Sequence, residues 1–342
     1  MNYCGIDLHK NFSQIHLYNE EMREISTRLQ NDETAIRGFF EPLRDNCKVA
    51  VEATGNWYWL VDLLQDLNLD VSLVNPLQTK AIAYARVKTD KVDAWVLTHL
   101  LRTNFLATCW IPDKEQRANR DMLRTRLVLV KIRTQCKNIV HGILEKFNIK
   151  LPFSNIWEGI GREALEKVSL SSPYSEFLKQ LLADIDHLTP QIEYWEKKIR
   201  EQIPVSENAQ RLLEVPGIGN IWALTILYET GPIERFLRAK RYVAYAGLVP
   251  RTRGTSDKYR NGHLCKQANM YLKCAYLEVT TAALRARDIN QRLLAYYQRI
   301  LRRKGKGIAK VALARKIATI VYYMLCVKID YATCVARNKM AG

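Results

Sequence analysis

Several features are missing from these 342 residues, and each absence removes a class of protein. The eight cysteines (4, 47, 109, 136, 265, 274, 326 and 334) form no CxxC pair, and no histidine lies at zinc-ligand spacing. That excludes a structural zinc site and a disulfide framework, so the thiols are expected to be reduced and mostly buried. The start, MNYCGIDLHK, has no basic-then-apolar leader, and the most apolar C-terminal run, Ile317 to Val327, is too short to span a bilayer. A soluble, cytoplasmic protein with no membrane partner is expected. Internal repeats and low-complexity segments are absent. Acid is scarce in the last third: residues 205–342 hold 25 Lys and Arg against 8 Asp and Glu, whereas the ratios are 11 to 14 over 1–110 and 16 to 13 over 111–204. Such a surplus implies a polyanionic partner, nucleic acid first, because Lys and Arg gain affinity by releasing the counterions of phosphates. Charge alone does not separate DNA from RNA, and a merely solvated basic surface or an acidic membrane are the alternatives.

What is present divides the chain into three expected parts. Residues 1–110 alternate short apolar runs (Tyr3 to Ile6, Ile15 to Tyr18, Lys48 to Val51, Val71 to Val74) with amphipathic stretches (Glu33 to Leu43, Trp57 to Leu67, Thr89 to Leu101), the pattern of an α/β domain. Residues 111–204 carry apolar residues three and four apart, at Leu129, Ile132, Cys136, Ile139 and Ile143, and again at Leu181, Ile185, Leu188, Ile192, Trp195 and Ile199. This predicts a helical hairpin or coiled coil, or two ordinary core helices, with Pro190 kinking or splitting the second. Residues 205–342 return to a mainly helical pattern broken by glycines and by a polar, basic loop from Pro250 to Gly262.

Within the first part, Asp7 closes one expected strand and Glu52 another, so neighbouring strands would bring both carboxylates to one sheet end, where α/β sheets place their sites. Asp90 and Asp93 are three apart in a helical stretch and share a face. Four acids aimed at one point repel unless a cation neutralises them, and hard oxygen donors suit Mg²⁺ or Mn²⁺. Spacing alone also allows solvated acids, with Asp90 as a helix cap.

The sequence around these acids adds to their spacing. GIDLHK (5–10), VEATGNWY (51–58), VNP (74–76) and KTDKVDA (88–94), in that order, resemble the signature of the DEDD insertion-sequence transposases, a family that includes RNA-bridged recombinases and pilin-gene invertases. The resemblance continues through EVPGIGNIWALTIL (214–227), FLRAKRYVAYAGLVPR (236–251) and GHLCKQANMYLK (262–273), so it covers most of the chain. It implies a RuvC-like variant of the RNase H fold for 1–110 and a basic, mainly helical C-terminal transposase domain for 205–342, with the helical middle, 111–204, expected from its spacing to be a coiled-coil connector. It also implies that Asp7, Glu52, Asp90 and Asp93 bind the metal, and that a serine after the Gly-Leu-x-Pro segment is the nucleophile. Here the loop departs from the usual Ser-Gly: gapless alignment puts Thr255 at the serine position and Ser256 at the glycine position. Ser256, a less hindered primary hydroxyl, is the favoured nucleophile, with Thr255 as the alternative.

Arg251, Arg253, Lys258 and Arg260 in this loop, with Lys88 and Lys266, are candidate phosphate contacts. Gly217 and Gly219 in Pro-Gly-Ile-Gly read either as a helix-hairpin-helix turn, whose backbone amides approach a phosphate, or as an ordinary tight turn. The resemblance implies an element-encoded guide RNA that pairs with DNA, and a dimer or tetramer. Three functions follow: a transposase or site-specific recombinase passing through a protein–DNA covalent intermediate, acting by transposition or inversion; a hydrolytic nuclease of the junction-resolvase type; and a nucleic-acid-binding protein whose acids are structural.

Overall fold

Runs buried on both faces at the start of the chain form β1 (Asn2–Leu8) and β2 (Phe12–Asn19), followed by β3 (Glu24–Gln30), α1 (Glu33–Phe40), β4 (Cys47–Glu52), α2 (Trp57–Asp66), β5 (Asp70–Val74), α3 (Pro76–Ile82), α4 (Asp90–Arg102) and β6 (Thr108–Cys109). The structure, a computed structural model, describes residues 1–21, 23–82, 89–255, 258–286 and 289–337. It divides into two units, Met1–Pro112 and Asp113–Gly342. In the first, six strands form a mixed sheet in the order β3-β2-β1-β4-β5-β6. β2 is antiparallel to both β1 and β3, β1, β4 and β5 run parallel, and β6 is antiparallel to β5. Strand β3 is a largely exposed, polar edge, EISTRLQ, and its weak alternation hides it in the sequence.

Side-chain alternation gives this sheet two different faces. Cys4, Ile6 and Leu8 of β1 and Val49 and Val51 of β4 pack with Ile36 and Phe40 of α1 and Leu60 and Leu64 of α2. Gly5, Asp7, Ala50 and Glu52 therefore belong to the opposite face, where α4 lies. Ala50 packs there with Leu97. Gly5 is what admits α4: a Cβ at this position would run into the carbonyl oxygen of Ala94 and lie 2.7 Å from the amide nitrogen of Thr98. Thr98 Oγ1 donates to the carbonyl of His16 at 2.9 Å and ties the helix to β2.

The second unit comprises α5 (Lys114–Lys146), α6 (Gly159–Glu166), α7 (Tyr174–Gln202), α8 (Glu207–Leu213), α9 (Asn220–Thr230), α10 (Ala239–Tyr245), β7 (Pro250–Thr255), β8 (Lys258–Leu264), α11 (Met270–Ala286), α12 (Gln291–Lys304), α13 (Lys306–Val327) and α14 (Tyr331–Arg337). Helices α5 and α7 pack antiparallel, with Asn119, Arg126 and Arg133 bonding Gln202, Glu196 and Thr189 in reverse order along the partner. Their shared core uses Cys136, Val140, Leu144, Leu178, Leu182 and Ile185, whereas Ile132 and Ile139 are exposed. The expected stripe on α5 is thus rotated, because that helix carries apolar residues on more than one face. Pro190 does not split α7: the ring removes one backbone donor, and Ile185, Leu188 and Ile192, buried around it, keep the helix continuous.

Residues 250–255 and 258–262, part of the stretch expected to be a loop, lie in the antiparallel strands β7 and β8, with Thr252 opposite Asn261 and Thr255 opposite Lys258. The β signal there is weak because the strands are basic and polar rather than apolar. At the hairpin's base the Cys265 amide donates to the Val249 carbonyl at 3.1 Å. Glu229, 1 % exposed, accepts two hydrogen bonds from Arg124 at 2.7 and 2.9 Å and one from Asn269 at 2.8 Å, and Asn269 caps α11 through Leu272. Cysteines 4, 47, 136 and 334 are buried thiols, while Cys274 and Cys326 are exposed, so burial is less general than expected. Among the described residues no helix is long and apolar enough to cross a membrane.

Candidate active site

Parallel pairing of Ile6 with Val51 sets Asp7 and Glu52 at the same level, on adjacent strands and on the α4 face of the sheet. Helix α4 begins there, because Thr89 is its N-cap and its Oγ1 accepts from the Val92 amide at 3.3 Å. Asp90 is thus the first helical residue rather than the cap, and Asp93 follows in the same turn. The helix is seated over Gly5, two residues before Asp7, so its acidic first turn meets the strand ends.

At that junction Asp7, Asp90 and His9 each bring one ligand atom within 4.8 Å of the others. His9 Nε2 donates to Asp7 Oδ2 at 3.2 Å and lies 3.4 Å from Asp90 Oδ1. Arg28 Nη2 approaches the other oxygen of Asp90 at 3.6 Å. Phe12 braces both side chains, with its ring 4.6 Å from that of His9 and 4.0 Å from the Arg28 guanidinium. Asp7 is only 6 % exposed. Burial pushes its carboxyl above the usual aspartate range, His9 opposes the rise, and Asp93 and Asp90 add to it. A buried carboxyl that resists ionisation beside other acids is electrostatically short of positive charge. Its hard oxygen donors, with one imidazole, fit a divalent cation of the Mg²⁺ or Mn²⁺ kind.

The turns that carry these groups are fastened to one another. The carbonyl of His9 accepts from Asn31 Nδ2 at 2.7 Å and from Asn56 Nδ2 at 2.9 Å. Asn56 is itself held by Thr54 Oγ1 at 2.9 Å, and the Thr54 amide returns to the carbonyl of Glu52 at 2.8 Å. A short chain of bonds therefore links the segment after Glu52 to the segment after Asp7. His9, Asn56 and Gly5 were not singled out as site residues from the sequence, although all three lie inside the GIDLHK and VEATGNWY segments. Motif membership was the available signal.

The remaining expected residues lie elsewhere. Ser256 and Lys88 fall outside the described residues. Thr255 ends β7 and Lys258 begins β8, with Arg253 paired to Arg260 across the hairpin. Arg251 and Lys266 are exposed in the same region. Gly217, with φ of +85°, sits in the turn between α8 and α9, where a Cβ would strike the Val279 carbonyl oxygen and lie 2.8 Å from the Ala283 amide nitrogen. Close approach to α11 accounts for that glycine. Gly219 is the N-cap of α9 and has open space around it.

Residues 4–149 match a DEDD-type family model described as Transposase, and residues 209–298 match the Transposase IS116/IS110/IS902 family. A probable family 20 transposase of Pseudomonas aeruginosa is 30% identical over 338 residues, covering 95% of this chain and 97% of that protein. The transposase for insertion sequence element IS1111A of Coxiella burnetii is 25% identical, over 94% of this chain and 88% of its own length. That for IS1328 of Yersinia enterocolitica is 26% identical, over 93% and 95%.

Proposed function

The chain belongs to the IS116/IS110/IS902 family of insertion-sequence transposases, enzymes that cut and rejoin DNA, and from that premise we propose that Asp7, Glu52, Asp90 and Asp93 form its metal-binding tetrad. The observation that carries this reading is the seating of α4 over Gly5, which turns the acidic first turn of that helix onto the strand end bearing Asp7. The sheet order, with three antiparallel strands followed by parallel β4 and β5, supports a RuvC-like reading of this unit.

When bound, Mg²⁺ or Mn²⁺ polarises the scissile phosphate and offsets the charge that develops on attacking and leaving oxygens. The protein's own residues do the rest. Burial keeps Asp7 poorly solvated and ready to exchange a proton for a cation. Asn31 and Asn56 fix the backbone at His9, so the two strand-end acids keep their spacing. The nucleophile is the Ser256 hydroxyl in the second unit, with Thr255 as its alternative. Its oxygen attacks phosphorus and its proton is released; the bond from phosphorus to one deoxyribose oxygen breaks, and that oxygen takes up a proton. A second DNA end reverses the step and frees the serine. Arg251, Arg253, Lys258, Arg260 and Lys266 contribute positive charge toward the transferring phosphate. A structured RNA from the element, pairing with donor and target DNA, fits the basic second unit, and rejoining across two duplexes calls for a dimer or tetramer.

The test is to incubate the full-length protein with its element's ends and Mg²⁺, then to look for DNA that stays attached after denaturation. Attachment is expected for the wild type and for Thr255→Ala, and its loss for Ser256→Ala. Cut ends without attachment would make the enzyme a hydrolytic nuclease instead. Unchanged cutting by both Glu52→Ala and Asp90→Ala would overturn the tetrad.

A further inference from the structure

Between Ile289 and Ile329 the sequence has ten Lys and Arg and not one Asp or Glu. This stretch forms α12 and α13, joined at Gly305. Helix α12 divides cleanly by exposure. Leu293 is buried and Tyr297 packs against the same core, whereas Arg292, Arg299, Arg302 and Arg303 are exposed. Their spacing of seven, three and one residues places them along one side of the helix. Lys304 and Lys306 continue the exposed run across the elbow into α13. Among the described residues none of these six cations is paired with a carboxylate.

Helix electrostatics account for only part of this. Arg302, Arg303 and Lys304 occupy the last turn of α12, where the negative end of the helix dipole favours them. Arg292 and Arg299 lie earlier and gain nothing from it. Lys306 stands at the positive end of a 22-residue helix whose first turn has no acid and whose N-cap, Gly305, offers no side chain. That arrangement is unfavourable without an anion from outside. Because an α-helix rises about 1.5 Å per residue, Arg292, Arg299 and Arg303 are spread at roughly 10 and 6 Å, a spacing suited to successive backbone phosphates rather than to a single small anion. The planar guanidinium fork suits phosphate oxygens.

We propose that the outer face of α12, continued through the α12–α13 elbow, is a docking ridge for the phosphate backbone of duplex DNA, read without regard to base sequence. The choice of DNA rests on the transposase reading, since the duplex is what such an enzyme must hold while it is cut. The ridge lies apart in sequence from the β7–β8 hairpin and from the carboxylates, so it serves grip rather than chemistry.

Full-length protein without metal, titrated into a fluorescent random-sequence DNA duplex between 50 and 200 mM salt, reads this directly. Replacing Arg299, Arg302 and Arg303 together by Ala is expected to weaken binding by at least about tenfold and to lower the log–log salt slope by roughly 2 to 3, because each phosphate contact contributes about 0.9. Lysine at the same three positions should restore the slope. An unchanged slope in the alanine variant, or no restoration by lysine, overturns the proposal. So does loss confined to a structured RNA probe while duplex DNA is bound normally. Asp90→Ala, assayed alongside, separates the two readings: without metal it should bind DNA like the wild type, and with Mg²⁺ it should fail to cut element ends that the wild type cuts. Normal DNA binding by the alanine triple beside that failure removes the ridge alone, and normal cutting by Asp90→Ala removes the tetrad alone.

Discussion

Asp7 shows how one residue records what its site is for. A carboxylate that is 6 % exposed, with two more acids nearby, is charged only against its surroundings. Its folded-state pKa is raised by burial above the ordinary 3.8. Protonation therefore favours the folded chain: the contribution is fully present below 3.8 and is lost as pH rises through the raised folded value. At neutral pH, without metal, the ionised side chain weighs against folding. Asp7→Asn should then melt at a higher temperature than the wild type in the presence of a chelator at pH 7 to 8, with the difference shrinking as the pH falls toward 4. Added Mg²⁺ should raise the wild-type midpoint and leave that of the variant little changed. A variant that melts lower than the wild type under chelation would contradict this account of Asp7.

Among the elements, α4 is decisive, since its seating on β1 brings Asp90 close to Asp7 and His9 at the strand end. Its close approach to β1 depends on a glycine whose missing Cβ leaves room for the Ala94 carbonyl and the Thr98 amide. Gly5→Ala should force the helix outward and cost about 1 to 3 kcal/mol by overpacking. Thermal denaturation measures that cost, and DNA cutting should fall with it even at temperatures where the protein stays folded. Full cutting by a folded Gly5→Ala would show that the helix position is not what assembles the acids. The strands, by contrast, were legible in the sequence: Tyr3 to Ile6, Lys48 to Val51 and Val71 to Val74 lie within β1, β4 and β5 because each is a short apolar run bounded by polar residues. Where that contrast fails, so does reading from sequence. Edge strand β3 and the β7–β8 hairpin are polar and basic, and their pairing comes from backbone hydrogen bonds that leave no periodic trace.

Across the whole molecule, each unit has a core of its own residues: Ile6, Ile15, Phe40, Leu60 and Leu64 in the first, and Tyr242, Tyr276, Leu313 and Val321 among those of the second. A fragment spanning 1–112 is thus expected to fold alone, giving a cooperative melt by circular dichroism that Mg²⁺ shifts upward, while leaving no DNA covalently attached. A fragment with no cooperative transition would refute this independence. The sequence by itself determined the strands and helices with strong periodicity, the concentration of basic charge in the last third and, through motif order, the family. Those properties are local, or additive along the chain. The tertiary structure alone decided that His9 and Arg28 join the acids, that Asn56 clasps the two strand-end turns, that Gly217 faces α11 and that the arginines of α12 stand clear of carboxylates among the described residues. Each of these depends on which distant backbones come within bonding distance, and no spacing along one chain encodes that.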